Sequence, residues 1–523
     1  MGRLDRVWAL AALRWAAAPA AFAAAWLLAA GLPGPQRAVA AVFAFAVAGW
    51  VAEAQPLPVT ALVSAALLVV VAGRDEKTVF AAFGDPVIPL FVGSFLLARA
   101  IEATRLGERV AWGVLAWRAV GRSPSRAVLA LGAVACGVSL VASNTATTAM
   151  LLPIGLGIAG ALGRAERGSP LAVATLLMLT WGSSVAVGVP VGTPPNLIGL
   201  AAIEESTGIR ISFAQWAAFG LPITAVMLGA CWLVLRRLYR LPGAATGETS
   251  DGPSAAVPGA AYDAPPRAVR GDPAAGARPS ALDPALAARR LSDLGPLTLA
   301  ERSTLAAFVV ALAAWLAPDV AAAVLGRGHP AAEWLLARLP LSVGAIGAAA
   351  ALFVLPAERR PYRAVLQWTD AAHIDWGTIL LFGGGIALGR AMDESGLAAT
   401  IGGVAAGTFG ADSLWTITAL VTTAAVILSE IASNTASASI LAPVAIGLAE
   451  AAGVSPIAPV LGVALGASLG FMMPVSTPPN AIVYGSGLVP QREMMRAGLV
   501  IDLIGLVVTL VGLRLILPLL GLA

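Results

Sequence analysis

The sequence predicts an all-α polytopic membrane protein made of two inverted repeats. Apolar runs recur from end to end, three motifs appear twice in the same order, and the basic loops change sides between the two copies. Of 523 residues, 58% are hydrophobic and only 12% charged, where soluble domains carry about a quarter charged. Each run is long enough to cross a hydrocarbon core of roughly 30 Å. Backbone in lipid must satisfy its own hydrogen bonds, so the runs are expected to be helices. The short alternating strands of an outer-membrane barrel are not the pattern here.

The formal charge of +4 and pI near 9.6 do not point to nucleic acid. Arginine supplies nearly all the positive charge, Lys77 being the only lysine, and the arginines cluster in a few loops as an orientation signal does. Cys136 and Cys231 lie in apolar stretches and read as packing residues, with no disulfide or metal site implied. The run after Arg3, Arg6 and Arg14 continues to about Ala30 and is followed by further spans, so it is expected to stay as a first transmembrane helix (1–35) rather than be cleaved.

Hydropathy and helix breakers place spans near 15–32, 36–52, 56–73 and 86–104, then an amphipathic stretch at 106–120. Two shorter apolar arms, 125–142 and 146–162, flank Ser143-Asn144-Thr145. A span at 170–190 is broken by Gly192-Thr193-Pro194-Pro195-Asn196, and another covers 212–235. Residues 241–300 are rich in Pro, Ala and Gly without apolar periodicity, and are expected to be a disordered cytoplasmic linker. The pattern then restarts with spans near 303–325, 341–356 and 375–393, arms at 413–432 and 436–452 around Ser433-Asn434-Thr435, a span at 456–475 broken by Ser476-Thr477-Pro478-Pro479-Asn480, and a last span at 497–520. The expectation is eleven transmembrane helices and two re-entrant hairpins, 125–162 in a first repeat (36–240) and 413–452 in a second (301–523).

The repeat is visible in three windows. FVGSFLLARAIE (91–102) answers FGGGIALGRAMD (382–393), SLVASNTATTAMLLP (139–153) answers SEIASNTASASILAP (429–443), and GSSVAVGVPVGTPPN (182–196) answers GASLGFMMPVSTPPN (466–480). Charge says the copies are inverted. Residues 105–126 carry Arg105, Arg109, Arg118, Arg122 and Arg126 against Glu108, while the counterpart carries Asp393, Glu394 and Asp412 and no base. Arg236, Arg237 and Arg240, and Arg359, Arg360 and Arg363, mark further cytoplasmic loops, which puts the N-terminus inside and the C-terminus outside. Two inverted repeats are a common plan for secondary transporters.

The Ser-Asn-Thr elements sit where an apolar hairpin must turn, and non-helical backbone is tolerated at membrane depth only if buried in protein or lining a cavity. Hydroxyls, amide oxygens and carbonyls there suit a hard cation such as Na⁺; N–H groups and positive helix ends suit an anion. In Thr-Pro-Pro-Asn, two prolines remove two N–H donors and are expected to interrupt a helix. Paired broken segments in matching places of two halves point to a binding site. The blander alternative, polar residues gluing helices together, fits one copy better than two.

Those motifs carry a resemblance over nearly the whole chain outside the linker. SNTATTAMLLP, SNTASASILAP and FMMPVSTPPNAIVYGSG resemble the divalent-anion/sodium symporter (DASS) family, the INDY-type carriers of di- and tricarboxylates or sulfate. The resemblance implies an elevator-type carrier in the plasma or inner membrane, often a homodimer, with a scaffold domain and a moving transport domain. It implies two or more Na⁺, one beside each tip: Ser139, Ser143, Asn144 and the Gly192 backbone for the first, Ser429, Ala432, Asn434 and the Ser476 backbone for the second. Substrate carboxylates would meet Asn144, Thr145, Asn434 and Thr435, with Thr193 and Thr477 nearby. The expected activity is Na⁺-coupled symport of a small divalent anion, a C4-dicarboxylate or citrate, with sulfate symport or dicarboxylate exchange as alternatives of the same fold. No Arg or Lys falls in the four tip motifs, so co-bound cations would be a condition for anion binding.

Arg99 and Arg390 each precede an acid by three residues, Glu102 and Asp393, and are expected to form intrahelical ion pairs rather than touch substrate. Glu430 inside the second hairpin either serves function or merely faces a water-filled crevice or caps a helix. His329 and His373 read as solvated loop residues. An intramembrane enzyme would need a nucleophile with its base, a metal cluster or paired acids in the spans, and no such pattern is present. A channel is the other rival; two inverted hairpins with broken helices favour alternating access over a pore.

Overall fold

The computed structural model describes residues 3–117, 120, 123–161, 166–241, 284–326, 328–409 and 413–522. Arg118, Arg122, Asp412 and most of the expected linker, 242–283, lie outside the described residues. The first half comprises α1 (Arg3–Leu28), α2 (Gly34–Ala52), α3 (Leu57–Val70), α4 (Glu76–Ala81), α5 (Val87–Thr104), α6 (Leu106–Leu115), α7 (Pro124–Ser139), α8 (Asn144–Ala161), α9 (Pro170–Ser184), α10 (Pro194–Thr207) and α11 (Phe213–Leu238). The second comprises α12 (Pro284–Asp293), α13 (Leu299–Leu325), α14 (Pro330–Arg338), α15 (Leu341–Ala351), α16 (Trp368–Ala371), α17 (Trp376–Glu394), α18 (Leu397–Phe409), α19 (Leu414–Ile431), α20 (Asn434–Ala451), α21 (Ile457–Gly466), α22 (Pro478–Gly485) and α23 (Gln491–Ile516).

Among the described residues, seven helices are long and apolar enough to cross a membrane, or eight if α14 and α15, bent by 70° at their junction, count as one span. Four shorter apolar helices, α3, α7, α9 and α21, accompany them. The arm 413–432 is longer than a hairpin arm needs to be: α19 passes the same test as a full span. Two expectations are corrected in detail. The chain is not wholly helical, because the helix of the expected span 341–356 stops at Ala351 and β1 (Pro356–Arg359) and β2 (Tyr362–Ala364) then form a small antiparallel hairpin. The expected linker does not run structureless to residue 300, because α12 packs on α6 and Thr298 caps α13 in a reciprocal pair with Glu301. Arg109 of α6 ties that segment down, its Nε donating to Glu301 Oε1 at 2.7 Å and its guanidinium to the carbonyls of Leu294 and Gly295.

The halves are interlocked rather than side by side. α5 of the first half packs on α15 of the second, and α17 of the second packs on α3 of the first. Each crossing turns on a glycine: a Cβ at Gly93 would stand 2.6 Å from the Ala345 carbonyl carbon, and one at Gly384 would stand 2.9 Å from the Ala61 carbonyl oxygen. Any side chain there would force the helices apart. The same device joins α9 to α7, where a Cβ at Gly182 would stand 2.6 Å from Gly132 O, and α21 to α19, where one at Gly466 would stand 2.9 Å from Thr422 O. The repeat seen in the sequence is thus also a repeat in packing. The innermost side chains include Trp181 and Phe471, buried and in edge contact at 5.9 Å, one from each half.

Candidate binding site at the hairpin tips

Each Ser-Asn-Thr element lies at the turn between two helices. Ser433 N-caps α20 by accepting from Ala436 N at 3.1 Å, and Ser143 accepts from Ala146 N at 3.1 Å at the start of α8. One residue on, Asn144 Oδ1 accepts from Ser139 Oγ at 2.6 Å, and Asn434 Oδ1 accepts from Ser429 Oγ at 2.7 Å. The two tips therefore hold the same constellation: a buried serine hydroxyl from the last turn of one helix beside the amide oxygen of the first residue of the next. Two oxygens this close can share one cation if the hydroxyl turns its proton away. At the second tip the cage is closer still, since Ser429 Oγ reaches Ala467 O at 2.7 Å, and a Cβ at Gly470 would lie 3.2 Å from that hydroxyl. Ala467 and Gly470 did not stand out in the sequence, because a carbonyl donor leaves no mark on residue type.

The Thr-Pro-Pro-Asn elements are helix starts, which corrects the expectation that their prolines break a helix. α9 ends at Ser184 and α21 at Gly466, well before the motifs, and the intervening chain is irregular. Thr193 and Thr477 are N-caps of matching extended conformation, φ −144° and −139°, and the prolines occupy the first turn of α10 and α22, where an N–H has no helical partner to lose. The asparagines face the irregular segments. Asn480 Nδ2 donates to Gly470 O, Met473 O and Ser476 Oγ at 2.9, 3.1 and 3.2 Å, while its Oδ1 accepts from Thr180 Oγ1 at 2.8 Å. Asn196 Nδ2 donates to the carbonyls of Val189 and Val187 at 2.9 and 3.2 Å. The exchange of Gly192 for Ser476 between the copies has a local reason. A Cβ at Gly192 would collide with Ala186 O, whereas Ser476 uses its hydroxyl to bridge Gly470 O and Met473 O at 2.9 and 2.8 Å.

These elements surround one cavity of about 550 Å3, within the range of small-molecule sites. Ser143, Asn144, Thr145, Gly192, Asn434, Thr435, Ser476 and Thr477 line it. Thr193, Ser139, Ser429 and Ala432 do not; they are buried behind the lining, Thr193 held to Ser468 Oγ at 3.3 Å. The first residues of α8, α20, α10 and α22 all line the cavity, so four helix N-termini converge on it from both halves. Each brings the positive end of its dipole; α8 and α20 can add N–H groups of their first turn, whereas α10 and α22 open on two prolines and have none there to give.

Residues outside the motifs complete the wall. Arg99 and Glu102 of α5, His373, Asp375 and Thr378 also line the cavity. Asp375 caps α17, accepting from Thr378 N at 2.9 Å. His373, read as solvated, stands in this wall and is exposed, with Nδ1 at 2.7 Å from Thr369 O; His329 caps α14 through Ala331 N. The expected pair Arg99–Glu102 forms at 3.2 Å, but Arg390 does not pair with Asp393. It reaches instead to Asp85 at 3.0 Å and to Glu205, both on other elements and better placed than a neighbour on its own helix. Glu430 caps no helix end but holds backbone. Its carboxylate accepts from Met472 N and Met473 N at 2.9 and 3.0 Å, holding the irregular segment before α22, with Asp502 of α23 buried beside it.

The family described as "Sodium:sulfate symporter transmembrane region" matches residues 9–522. A sodium-dependent dicarboxylate transporter, SdcS, of Staphylococcus saprophyticus is 28% identical over 482 residues, spanning 90% of this chain and 84% of that protein. SdcS of Staphylococcus aureus is 28% identical over 489 residues, with the same shares covered. Among solved structures, the Alcanivorax borkumensis YdaH transporter superposes with a TM-score of 0.54 at 16% identity, over 84% of this chain and 87% of that one, a likeness of fold.

Proposed function

The chain belongs to the sodium:sulfate symporter family, a family of multi-pass membrane transporters and not of enzymes, and on that premise we propose that it carries a small divalent anion across the membrane together with Na⁺. The observation that carries this reading is the convergence of four helix N-termini and two Ser-Asn-Thr tips on one cavity. Helix ends and amide groups attract an anion, and the hydroxyl–amide oxygen pairs at Ser139/Asn144 and Ser429/Asn434 fit a hard cation. The relatives' names favour a dicarboxylate as the anion, for which we take a C4 acid such as succinate, malate or fumarate; citrate, or sulfate as in the family's description, fits the same paired oxyanion chemistry.

In this reading the anion meets Asn144, Thr145, Asn434 and Thr435, with Thr193 and Thr477 nearby. Two Na⁺ sit at the tips, one on Ser139, Ser143, Asn144 and the Gly192 backbone, the other on Ser429, Ala432, Asn434 and the Ser476 backbone. Cation charge placed beside the anion makes each a condition for binding the other, which is the basis of coupling. The finer architecture belongs to the same proposal: eleven spans, two re-entrant hairpins in a moving transport domain, a scaffold that dimerises, N-terminus in the cytoplasm and C-terminus outside. The test is uptake of labelled succinate into proteoliposomes. Saturable uptake that requires an inward Na⁺ gradient is expected; uptake that neither saturates nor responds to Na⁺ would sink the carrier reading in favour of a channel. Competition by malate, citrate and sulfate then ranks the substrates.

A further inference from the structure

Arg99 is the one Arg or Lys among the residues that line the tip cavity, and its surroundings differ from those of its repeat counterpart. Arg390 is tied by two acids from separate elements, Asp85 and Glu205, and so fastens parts of the fold together. Arg99 is held by Glu102, one turn away on its own helix, at 3.2 Å, and by Asp370 at 3.6 Å, a longer and weaker approach. A pair within one helix fastens nothing and contributes little. The Arg99 Nε is buried with no hydrogen-bond partner, and a third of the side chain remains exposed on the cavity side of α5.

The charge of the cavity wall gives this arrangement a consequence. The ionisable acids lining it are Glu102 and Asp375, and both repel a dianion. Asp375 is engaged with the first turn of α17 through Thr378 N and Oγ1. Only Arg99 offers a fixed positive charge, and its guanidinium has donors to spare.

We infer that Arg99 is a substrate-positioning residue, which receives a carboxylate of the incoming anion on the cavity wall before the anion reaches the two tips. The inference rests on the reading of the cavity as an anion-transport site and adds a contact that the paired motifs do not contain. A bidentate guanidinium contact suits an oxyanion, and the incoming carboxylate displaces the loosely held Asp370 rather than a locked partner.

The experiment measures initial rates of labelled succinate uptake into proteoliposomes with an inward Na⁺ gradient for the wild type, Arg99→Gln, Arg99→Lys, Glu102→Gln and the double variant Arg99→Gln/Glu102→Gln. A lost charge-assisted contact predicts that Arg99→Gln raises KM about tenfold or more with kcat nearly unchanged. Arg99→Lys recovers part of the loss, and added choline chloride narrows the gap between wild type and Arg99→Gln because the cavity is open to solvent. The double variant separates two roles: KM stays high if Arg99 meets the anion, and returns to the wild-type value if Arg99 only neutralises Glu102, which overturns the inference. An unchanged KM in Arg99→Gln overturns it as well. Wild-type protein that takes up labelled sulfate but not succinate would refute the dicarboxylate reading alone, and the same five proteins assayed with sulfate would still decide the role of Arg99.

Discussion

Four asparagines occupy repeated motifs, and they divide into two kinds. Asn144 and Asn434 line the cavity, each with Oδ1 bound to a single serine hydroxyl. Replacing either by alanine is expected to abolish Na⁺-dependent succinate uptake while leaving a monodisperse, folded protein in size-exclusion chromatography; wild-type uptake in either variant would refute the site assignment. Asn196 and Asn480 are fully buried and bonded to backbone carbonyls. Asn480→Asp keeps the size but has no N–H to give Gly470 O and Met473 O, and leaves buried acceptors facing a carboxylate. Its melting temperature in detergent is expected to fall markedly, by several degrees, with or without substrate. The motif pair in the sequence marks all four alike. Which of them touches the anion depends on which way each amide faces, and residue type does not encode that.

Helix ends and helix crossings do the positioning at the next scale. The α19 carboxylate of Glu430 holds the backbone of Met472 and Met473, which ties the end of α19 to the irregular segment before α22. Glu430→Ala leaves two partly buried N–H groups without their carboxylate partner and is expected to cost up to about 1–3 kcal/mol. Thermal unfolding monitored with and without Na⁺ would register this as a lower melting temperature and a smaller Na⁺-induced shift. An unaltered shift would show that the hairpin and the segment are independent. At the crossings of α5 on α15 and α17 on α3, Gly93 and Gly384 let backbones touch. Gly93→Val and Gly384→Val are each expected to prevent accumulation of folded protein in the membrane, since the nearest atoms are main chain or an alanine Cβ and cannot rotate away. The sequence windows containing these glycines were legible as a repeat, but the partners Ala345 and Ala61 were not, because a close approach leaves no residue-type signature on the far side.

For the molecule as a whole, interlocking of the two halves puts one tip from each on a shared cavity. The positive-inside bias of Arg105, Arg109 and Arg126 against the acidic counterpart loop predicts a cytoplasmic N-terminus and an external C-terminus. A C-terminal epitope accessible to antibody on intact spheroplasts, with an N-terminal one accessible only after permeabilisation, is the expected result; the reverse would refute the orientation.

The amino-acid sequence by itself determined the membrane environment, the duplication and the four polar motifs, because hydropathy and repetition are properties of residue type and order. It also led to the family, through motifs specific enough to compare. Only the tertiary structure decided that the prolines begin helices instead of breaking them, that Arg390 fastens the fold while Arg99 faces the cavity, and that Glu430 holds a chain segment forty residues away. Each of these depends on which groups from distant parts of the chain arrive at the same point. Spacing along one helix names the neighbours a side chain has one turn away; burial and the close approach of another backbone decide which neighbour it keeps.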